Sequence, residues 1–511
     1  MECNLSEILG ALSLATDLAD GHPSGSAMGS AVIATNLGKA MGLQPEEQSE
    51  LYYAAICRSI GCTSTASDVS PLALGEEHTL NHCYTIGDPL DPENLRHHLN
   101  NSFAPDHPNE MRQPVIDQCV AAGADMLPLA DPQCEQASAL SKRLPVPGRV
   151  SSLVEQRISR WDGGNPSQPG GEDILQGSRI IEFAVVMELH RRIGGLPAMV
   201  EVAQKRSGTQ FDPAVCNTFL KDPTAIYRGL GTGWDWEHYQ TMEPGDPIII
   251  GQAEVRAIAE AFADFIDLKT PRLLGHSHNV AALAFRGAVA RGMPEDECQH
   301  LFNAGLLHDI GKSAIPNGIW DKTGPLSRQE LQRAKTCSHH TEQILMTSPI
   351  FDNIVDAACS TNERNDGSGS HRRIKLNDDA SGLLAVANAY DELTRDVPGR
   401  DALSSEDAAD VMLEEVMKGR FPREATRTIL AESGHSKSVT SNVYPDGLTP
   451  REAEVLMHIS RGLSNKEIAQ KLEISPRTID NHSQNLFKKI GAPGRTAAAM
   501  YAIDQGIFNT D

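Results

Sequence analysis

Three helix starts follow one another between Thr449 and Thr478, near the end of the 511-residue chain. Thr449-Pro450-Arg451-Glu452 has the pattern of a capping box, in which the Thr hydroxyl accepts a hydrogen bond from an orphan N–H and the Glu carboxylate reaches back to the cap. Ser464-Asn465-Lys466-Glu467 repeats this pattern after Gly462, and Ser475-Pro476-Arg477-Thr478 opens a third helix. These signals predict three short helices joined by tight turns.

Apolar residues recur at helical spacing in each of the three segments. They are Val455, Leu456 and Ile459 in the first, Ile468, Ala469 and Leu472 in the second, and Ile479, Leu486 and Ile490 in the third. These faces can pack on one small core, which leaves the third helix free to project. A projecting helix of this kind fits the major groove of DNA, with its N-terminal residues directed at base edges.

The outward positions of the third helix carry polar side chains that suit DNA. Asn and Gln can read adenine through two hydrogen bonds, and Arg and Lys can reach phosphates. The outward positions are Arg477, Thr478, Asp480, Asn481, Gln484, Asn485 and Lys488. The alternative interpretation is a small helical bundle with an ordinary polar surface.

Residues 448–511 resemble the LuxR/FixJ type of DNA-binding domain. The shared motifs are LTPREAEVL, GLSNKEIAQKLEIS, PRTIDNH and KKIGAPGRTAAA. The resemblance implies a four-helix domain on double-stranded DNA, with Lys466 and Ser475 near phosphates, the Thr478 helix in the major groove, and a homodimer formed through a last helix at about 495–506. Asp480 departs from the family, which commonly has Lys or Gly there. Since a carboxylate repels phosphate but can accept from a cytosine amine, the family's base preference does not carry over.

Length and composition indicate a soluble protein of about three domains. No run of about 18 apolar residues occurs, so we expect no membrane-spanning helix and no membrane partner. The start, MECNLSEILGALSLATDLAD, lacks the basic region of a signal peptide. The ten cysteines are scattered without a CxxC pair, which is typical of reduced thiols in the cytoplasm.

The formal charge of −23 lies outside the tail, because residues 441–511 hold eight Lys or Arg and eight Asp or Glu. An acidic body repels DNA and leaves binding to the small tail, although the same charge also serves solubility. A neutral reader neutralises few phosphates and therefore binds weakly as a monomer. Dimerisation or a partner protein is then expected.

The body before the tail is predicted to be all-α, since it shows no alternating strand and helix pattern. Residues 1–240 form one mainly helical unit with a polar surface insertion near 86–114, and residues 246–430 form a second. Residues 431–447 are rich in Ser, Gly and Asn and are typical of a linker.

The second unit contains an adjacent His308-Asp309 pair, with Lys312 close behind and His276 on a preceding helix. An imidazole and a carboxylate at one helix end can bind one divalent metal (Fe, Mn or Zn), and a bound water would then be the nucleophile. Lys312 can hold a phosphate. Two ordinary surface residues are the alternative for an isolated His-Asp pair.

The order of motifs in residues 270–400 resembles the HD-GYP branch of HD-domain phosphohydrolases, which cleave cyclic di-GMP or related phosphodiesters at a centre of two or three metals. The resemblance implies that His276, His308 and Asp309 are metal ligands and that Lys312 is the family lysine in catalysis. Several other positions depart from the family: Cys337, Thr361-Asn362, Gly369-Ser370-His371 and Asn388. Thr and Asn are weak neutral ligands, so three ligands plus Asn388 would hold one ion, and His339 or His340 could replace Cys337 only if the helix register slips.

The first unit resembles a more eroded copy of the same domain. Arg58-Ser59 stands where the family has its His-Asp pair, Arg157-Ile158 where it has its paired His, and Val185 or Val186 where it has a late Asp. His22 is the one candidate ligand. The body is therefore interpreted as a tandem of two HD-like domains, the first without metal.

Three functions fit this sequence. The first is a transcriptional regulator whose catalytically impaired body senses a small-molecule or nucleotide ligand, or dimerises, while the tail binds DNA. The second is a metal-dependent phosphohydrolase of the cyclic dinucleotide phosphodiesterase type that carries an attached DNA-binding domain. The third is a scaffold whose helical body binds other proteins.

Overall fold

The structure, a computed structural model, describes residues 3–230, 236–376, 379–397, 399–435, 445–472 and 474–504. Within these ranges the fold is all-α, as predicted. The only strands there are β1 (Cys3–Asn4) and β2 (Ile249–Ile250), which pair antiparallel with Cys3 opposite Ile250. None of the helices in these ranges combines the length and apolar composition needed to cross a membrane.

The described residues contain twenty-seven α-helices. Those before residue 270 are α1 (Leu5–Ala19), α2 (Ser26–Ala40), α3 (Pro45–Cys57), α4 (Ala66–Val69), α5 (Glu77–Ile86), α6 (Pro92–Ser102), α7 (Asn109–Ala122), α8 (Asp131–Ser141), α9 (Val150–Glu155), α10 (Gln176–Lys205), α11 (Pro213–Lys221), α12 (Pro223–Tyr227), α13 (Trp236–Thr241) and α14 (Gln252–Asp267). Those after it are α15 (His276–Ala290), α16 (Glu295–Leu307), α17 (Asn317–Trp320), α18 (Arg328–Lys335), α19 (Cys337–Leu345), α20 (Asp352–Cys359), α21 (Ala380–Leu393), α22 (Ser405–Met417), α23 (Arg423–Glu432), α24 (Pro450–Ser460), α25 (Asn465–Lys471), α26 (Pro476–Lys489) and α27 (Arg495–Asp504).

By their contacts, the described residues fall into two compact units. The first takes its residues from 1–281, 302–359 and 397–401, and the second from 282–301, 360–396 and 402–511. In the first unit, α2 packs against α1, α3 and α10. Leu9, Ile33 and Phe183 of these helices are fully buried, which gives this unit an apolar core.

The stretch at 86–114, expected to be a surface insertion, contains all of α6 and the first turns of α7. Leu95, Leu99 and Phe103 are fully buried and pack with Leu80 and Cys83. This stretch therefore contributes to a small apolar core. Its composition is polar overall because only one face of each helix is apolar.

The tail has the caps and the core that its sequence predicts. Glu452 accepts from Thr449 N at 2.7 Å, Glu467 accepts from Ser464 N at 2.7 Å, and Ser475 caps α26. Most of the predicted core is buried, with Leu472 and Ile490 partly buried against it: Val455, Leu456, Ile459, Ile468, Ala469, Ile479 and Leu486. Of the predicted linker at 431–447, residues 436–444 lie outside the described residues, and α23 ends at Glu432.

Candidate functional site

Two histidines and one aspartate meet where α15 begins and α16 ends. His276 is the first residue of α15, and His308 and Asp309 directly follow α16. Nε2 of His276 and Nε2 of His308 each lie 3.3 Å from Oδ2 of Asp309, and all three residues are buried. Their ligand atoms lie within 4.8 Å of one another. The structure therefore brings together the three predicted metal ligands.

Hydrogen bonds orient both imidazoles. His308 Nδ1 lies 2.7 Å from the carbonyl oxygen of Gly305, which can only accept, so Nδ1 donates this hydrogen bond and Nε2 faces Asp309. Asp267, at the end of α14, accepts from Ser277 N at 3.0 Å and from Ser277 Oγ at 2.7 Å. These bonds fix the start of α15 and hence His276. Burial raises the pKa of Asp267 to about 6 against the opposing effect of the Ser277 bonds.

Lys312 completes the cluster. Its Nζ pairs with Oδ2 of Asp309 and lies 5.4 Å from the centre of the Trp320 ring. Burial by itself would raise the pKa of Asp309, but the neighbouring His308, Lys312 and His276 outweigh it and hold that pKa well below its usual range. Asp309 is therefore a carboxylate, which is the form that binds a metal.

These three side chains fit one divalent ion. Two imidazole nitrogens and one carboxylate oxygen suit Fe, Mn or Zn, and three protein ligands leave positions for water or substrate. Asn388, the fourth predicted ligand, is buried in α21 and belongs to the second of the two compact units defined by contacts.

The register of α19 is fixed close to the site. Cys337 is buried and His339 is exposed, so a slipped helix that replaces Cys337 with a histidine is not supported. Thr341 Oγ1 accepts from Gly311 N at 3.1 Å and donates to the His308 carbonyl at 3.1 Å. These bonds tie the turn after the His-Asp pair to α19.

The turn after α3 repeats this local geometry. A methyl group on Gly61 would lie 2.1 Å from the Gln133 carbonyl oxygen, and one on Gly311 would lie 2.1 Å from the Cys337 carbonyl oxygen. In both places a turn packs tightly on the start of a helix, α8 or α19. Arg58 directly follows α3, just as His308 directly follows α16.

The same parallel shows which residue corresponds to His276. Asp17 accepts from Gly25 N at 2.7 Å and from Ala27 N at 3.0 Å, as Asp267 accepts from Ser277 N. Ser26 is therefore the counterpart of His276. His22 instead has its Nδ1 at 3.1 Å from Nδ1 of His82, and among the described residues it belongs to no group of three potential ligands. The hypothesis that His22 is a residual ligand lacks support.

The tail exposes the polar positions predicted for DNA contact. Thr478 is half-buried, with its Oγ1 2.8 Å from Ser475 Oγ, which itself accepts from Thr478 N. The remaining predicted DNA-contact residues are all exposed: Lys466, Ser475, Arg477, Asp480, Asn481, Gln484, Asn485 and Lys488.

Sequence reasoning missed one set of contacts in the tail. Asn465 donates through Nδ2 to Oδ1 of Asp480, and Arg495 donates to Asn465 Oδ1 at 2.7 Å. Asp480 on α26 is thus connected to the start of α27. No spacing rule within one helix relates these three positions, so the sequence held no signal for the contact.

Comparison with known proteins agrees with this geometry. Residues 260–424 match the model of the HD domain, and residues 446–502 match that of the luxR family of bacterial regulatory proteins. The 3'3'-cGAMP-specific phosphodiesterase 3 of Vibrio cholerae is 25% identical over 80% of this chain and 90% of its own length. The transcriptional regulatory protein LnrK of Bacillus subtilis is 47% identical over 12% of this chain and 27% of its own length.

The fold is also similar to that of a solved structure. The crystal structure of a cyclic GMP-AMP specific phosphodiesterase of V. cholerae matches 85% of this chain and 98% of that chain, with a TM-score of 0.56 and 23% identity. This chain therefore combines a phosphodiesterase-like HD domain with a carboxy-terminal DNA-binding domain of the LuxR family.

Proposed function

We propose that this protein is a transcriptional regulator that acts in the cytoplasm, with α26 as its DNA-reading helix and the HD-like body as a sensory or dimerising module. The observation that carries the proposal is the row of exposed polar side chains on α26, including Arg477, Asn481 and Gln484. Such a row offers hydrogen bonds to base edges, and Lys466 and Lys488 offer charge to phosphates.

The ligand set of the body supports a role other than full phosphodiesterase catalysis. We place the first HD-like unit at 1–240 and the second at 246–430. In the second, Cys337, Thr361 and Asn388 stand where the resemblance implies further metal ligands. A two-metal clamp on the attacking and leaving oxygens needs several anionic or imidazole ligands beyond the three present. The body is therefore proposed to be catalytically impaired.

Footprinting of the full chain on the DNA upstream of its own gene tests the regulatory role. We expect a protected site, and we expect Arg477→Ala to weaken binding by about 1–3 kcal/mol if Arg477 contacts a base. Arg427→Ala is the matched control, because it removes the same charge from an exposed position on α23, outside the tail. A folded dimer that protects no site at low salt would contradict the proposal.

Dimerisation through the last helix is the second part of the proposal. Met500 on α27 is 55% exposed, so this helix offers a large apolar side chain to a second copy of the chain. Residues 505 and 506 of the predicted helix lie outside the described residues. Analytical ultracentrifugation of the full chain should show a dimer, and Met500→Asp should shift it towards the monomer. An unchanged sedimentation profile would place the interface elsewhere.

A metal-dependent phosphohydrolase remains the second candidate, and the buried His276, His308 and Asp309 cluster favours it. These residues would hold one divalent ion, which would act as a Lewis acid towards a phosphoryl oxygen. Gly305 fixes the His308 ring, Asp267 fixes the helix that carries His276, and Lys312 supplies a positive charge for phosphate.

Turnover assays separate the two candidates. Full chain loaded with Mn²⁺ or Fe²⁺ is incubated with 3'3'-cGAMP or cyclic di-GMP, with His308→Ala as the inactive reference. Absence of turnover in metal-loaded protein removes the second candidate. Turnover that His308→Ala abolishes would overturn the proposed catalytic impairment.

A further inference from the structure

A cavity in the first compact unit has a polar wall of three arginines and an apolar wall. Its volume is about 100 Å³, several times the space needed for one water molecule. Arg58, Arg157 and Arg160 line it on one side, with Tyr84, Leu80 and Met126 among the remaining lining residues. This cavity lies beside the positions where the first unit has lost its metal ligands.

Two of the arginines have buried N–H groups that lack an acceptor. Arg58 is 4% exposed and Arg157 is 5% exposed, and Nε of each has no hydrogen-bond partner. A buried donor without an acceptor is costly, so such groups indicate a missing ligand or water. Arg157 also donates to the Arg58 carbonyl at 3.2 Å. This bond helps to fix the Arg157 guanidinium beside Arg58.

The carboxylates near these arginines do not fill the cavity. Glu182 accepts from Arg58 at 2.8 Å and lines the cavity. Asp20, 3.9 Å from Arg157, and Asp88, 2.9 Å from Arg160, are not among the lining residues. Three guanidinium groups and one carboxylate therefore line the space, while Asp20, Asp88 and Asp162, which pair with Arg157 and Arg160, are not among the lining residues.

We propose that this cavity binds a phosphate monoester that carries an aromatic group, such as a nucleoside monophosphate. Guanidinium groups bind phosphate oxygens through paired N–H donors, so the terminal phosphate lies against Arg58 and Arg157. The base packs against the Tyr84 ring, whose hydroxyl is held by the Cys119 carbonyl at 3.0 Å, and against the neighbouring aliphatic side chains. The inference deepens the proposed function and rests on it, since it gives the sensory body its ligand class.

Calorimetric titration of the full chain tests the site. The probes are GMP and AMP, with guanosine and inorganic phosphate as the two partial ligands. Saturable binding of a monophosphate, with no binding of guanosine and weaker binding of inorganic phosphate, supports the proposal. Equal affinity for inorganic phosphate overturns the nucleotide class, and no binding of either monophosphate overturns the site.

Three variants locate the ligand. Arg157→Lys keeps the charge but loses the paired donors, and we expect affinity to fall about tenfold or more. Leu129→Asp places a carboxylate at the rim, where Leu129 is 43% exposed, so it opposes phosphate without removing a buried partner. Arg143→Gln, which removes a charge from an exposed pair with Asp264, is the control and should bind normally. Unchanged affinity in both Arg157→Lys and Leu129→Asp would overturn the proposal.

A footprint with and without the bound monophosphate separates this inference from the proposed function. A ligand that binds and changes the protected DNA supports both. A ligand that binds while the footprint stays the same keeps the cavity assignment and contradicts its sensory role. A footprint on DNA without any monophosphate binding keeps the DNA-binding function and contradicts the cavity assignment.

Discussion

The turn after α3 and the turn after α16 have the same packing but opposite chemistry. Gly61 and Gly311 each approach a helix so closely that a methyl group would lie 2.1 Å from a carbonyl oxygen. Beside them, Arg58 donates a hydrogen bond to Glu182, while His308 presents Nε2, the atom that would bind a metal. The same close packing therefore accompanies two different sets of side chains, because it depends on the glycine and not on the residues beside it.

The two sites should attract ligands of opposite charge. His276, His308 and Asp309 offer lone pairs to a cation, and Arg58 and Arg157 offer donors to an anion. Both clusters are buried, so each selects its ligand in surroundings where electrostatic interactions are strong.

The largest expected effect concerns metal content. Elemental analysis of the purified full chain should find one divalent ion, and His308→Ala should lose it completely because one of three ligands is removed. The double variant Arg58→Gln with Glu182→Gln, which removes a buried ion pair from the first site without a net charge change, should keep the ion. Two ions per chain, or an ion that remains bound in His308→Ala, would contradict the assignment of the cation to the His276, His308 and Asp309 site alone.

The shared packing predicts that the two glycines are equally sensitive. Gly61→Ala and Gly311→Ala should each lower the free energy of unfolding by about 1–3 kcal/mol, because backbone atoms must move to admit the methyl group. Gly148→Ala is the control, since a methyl group there meets no atom within 4 Å. Urea unfolding of the full-length variants measures the effect. A neutral Gly61→Ala would show that the first turn is packed more loosely than the second.

The smallest expected effect concerns the pH dependence of stability that the buried His98 of α6 causes. Burial, with help from His190 and Arg206, lowers the pKa of His98 to about 3. The unfolded chain takes up a proton below about pH 6.5 and the folded chain does not, so stability falls by up to about 1.4 kcal/mol per pH unit as the pH drops from there.

His98→Gln should reduce this slope, and the neighbouring His97→Gln, which changes an exposed residue of the same helix, should leave it unchanged. Unfolding free energies at about pH 6.5 and 5.5 give the comparison. Equal slopes in the two variants would show that His98 is protonated in the folded protein.

Periodicity and caps predicted the tail closely, because its helices are short and each begins with a capping residue whose hydrogen bonds are local. Motif order likewise predicted the meeting of His276, His308 and Asp309, since two helix ends carry all three. The all-α class followed from the lack of a strand pattern. These successes rest on interactions that a single helix or one helix end can specify.

Long-range contacts between polar side chains could not be predicted. The bond from Arg157 to the Arg58 carbonyl joins residues 99 positions apart, and no periodicity relates them. The stretch at 86–114 was interpreted from composition, which does not reveal that Leu95, Leu99 and Phe103 share one face of a folded pair of helices. Residue type alone suggests His22 as a ligand, whereas the backbone hydrogen bonds that Asp17 accepts from Gly25 and Ala27 indicate that Ser26 holds the equivalent place.

The contacts among Asp480, Asn465 and Arg495 limit how this DNA-binding domain can acquire a new sequence preference. A base that approaches Asp480 competes with an amide that is itself held by a guanidinium. A single substitution of Asp480 removes the carboxylate that accepts from Asn465, while Arg495 still holds the Asn465 amide in its original position. The expected product is a protein that binds all sites less well, and a change of preferred sequence requires compatible residues at all three positions together.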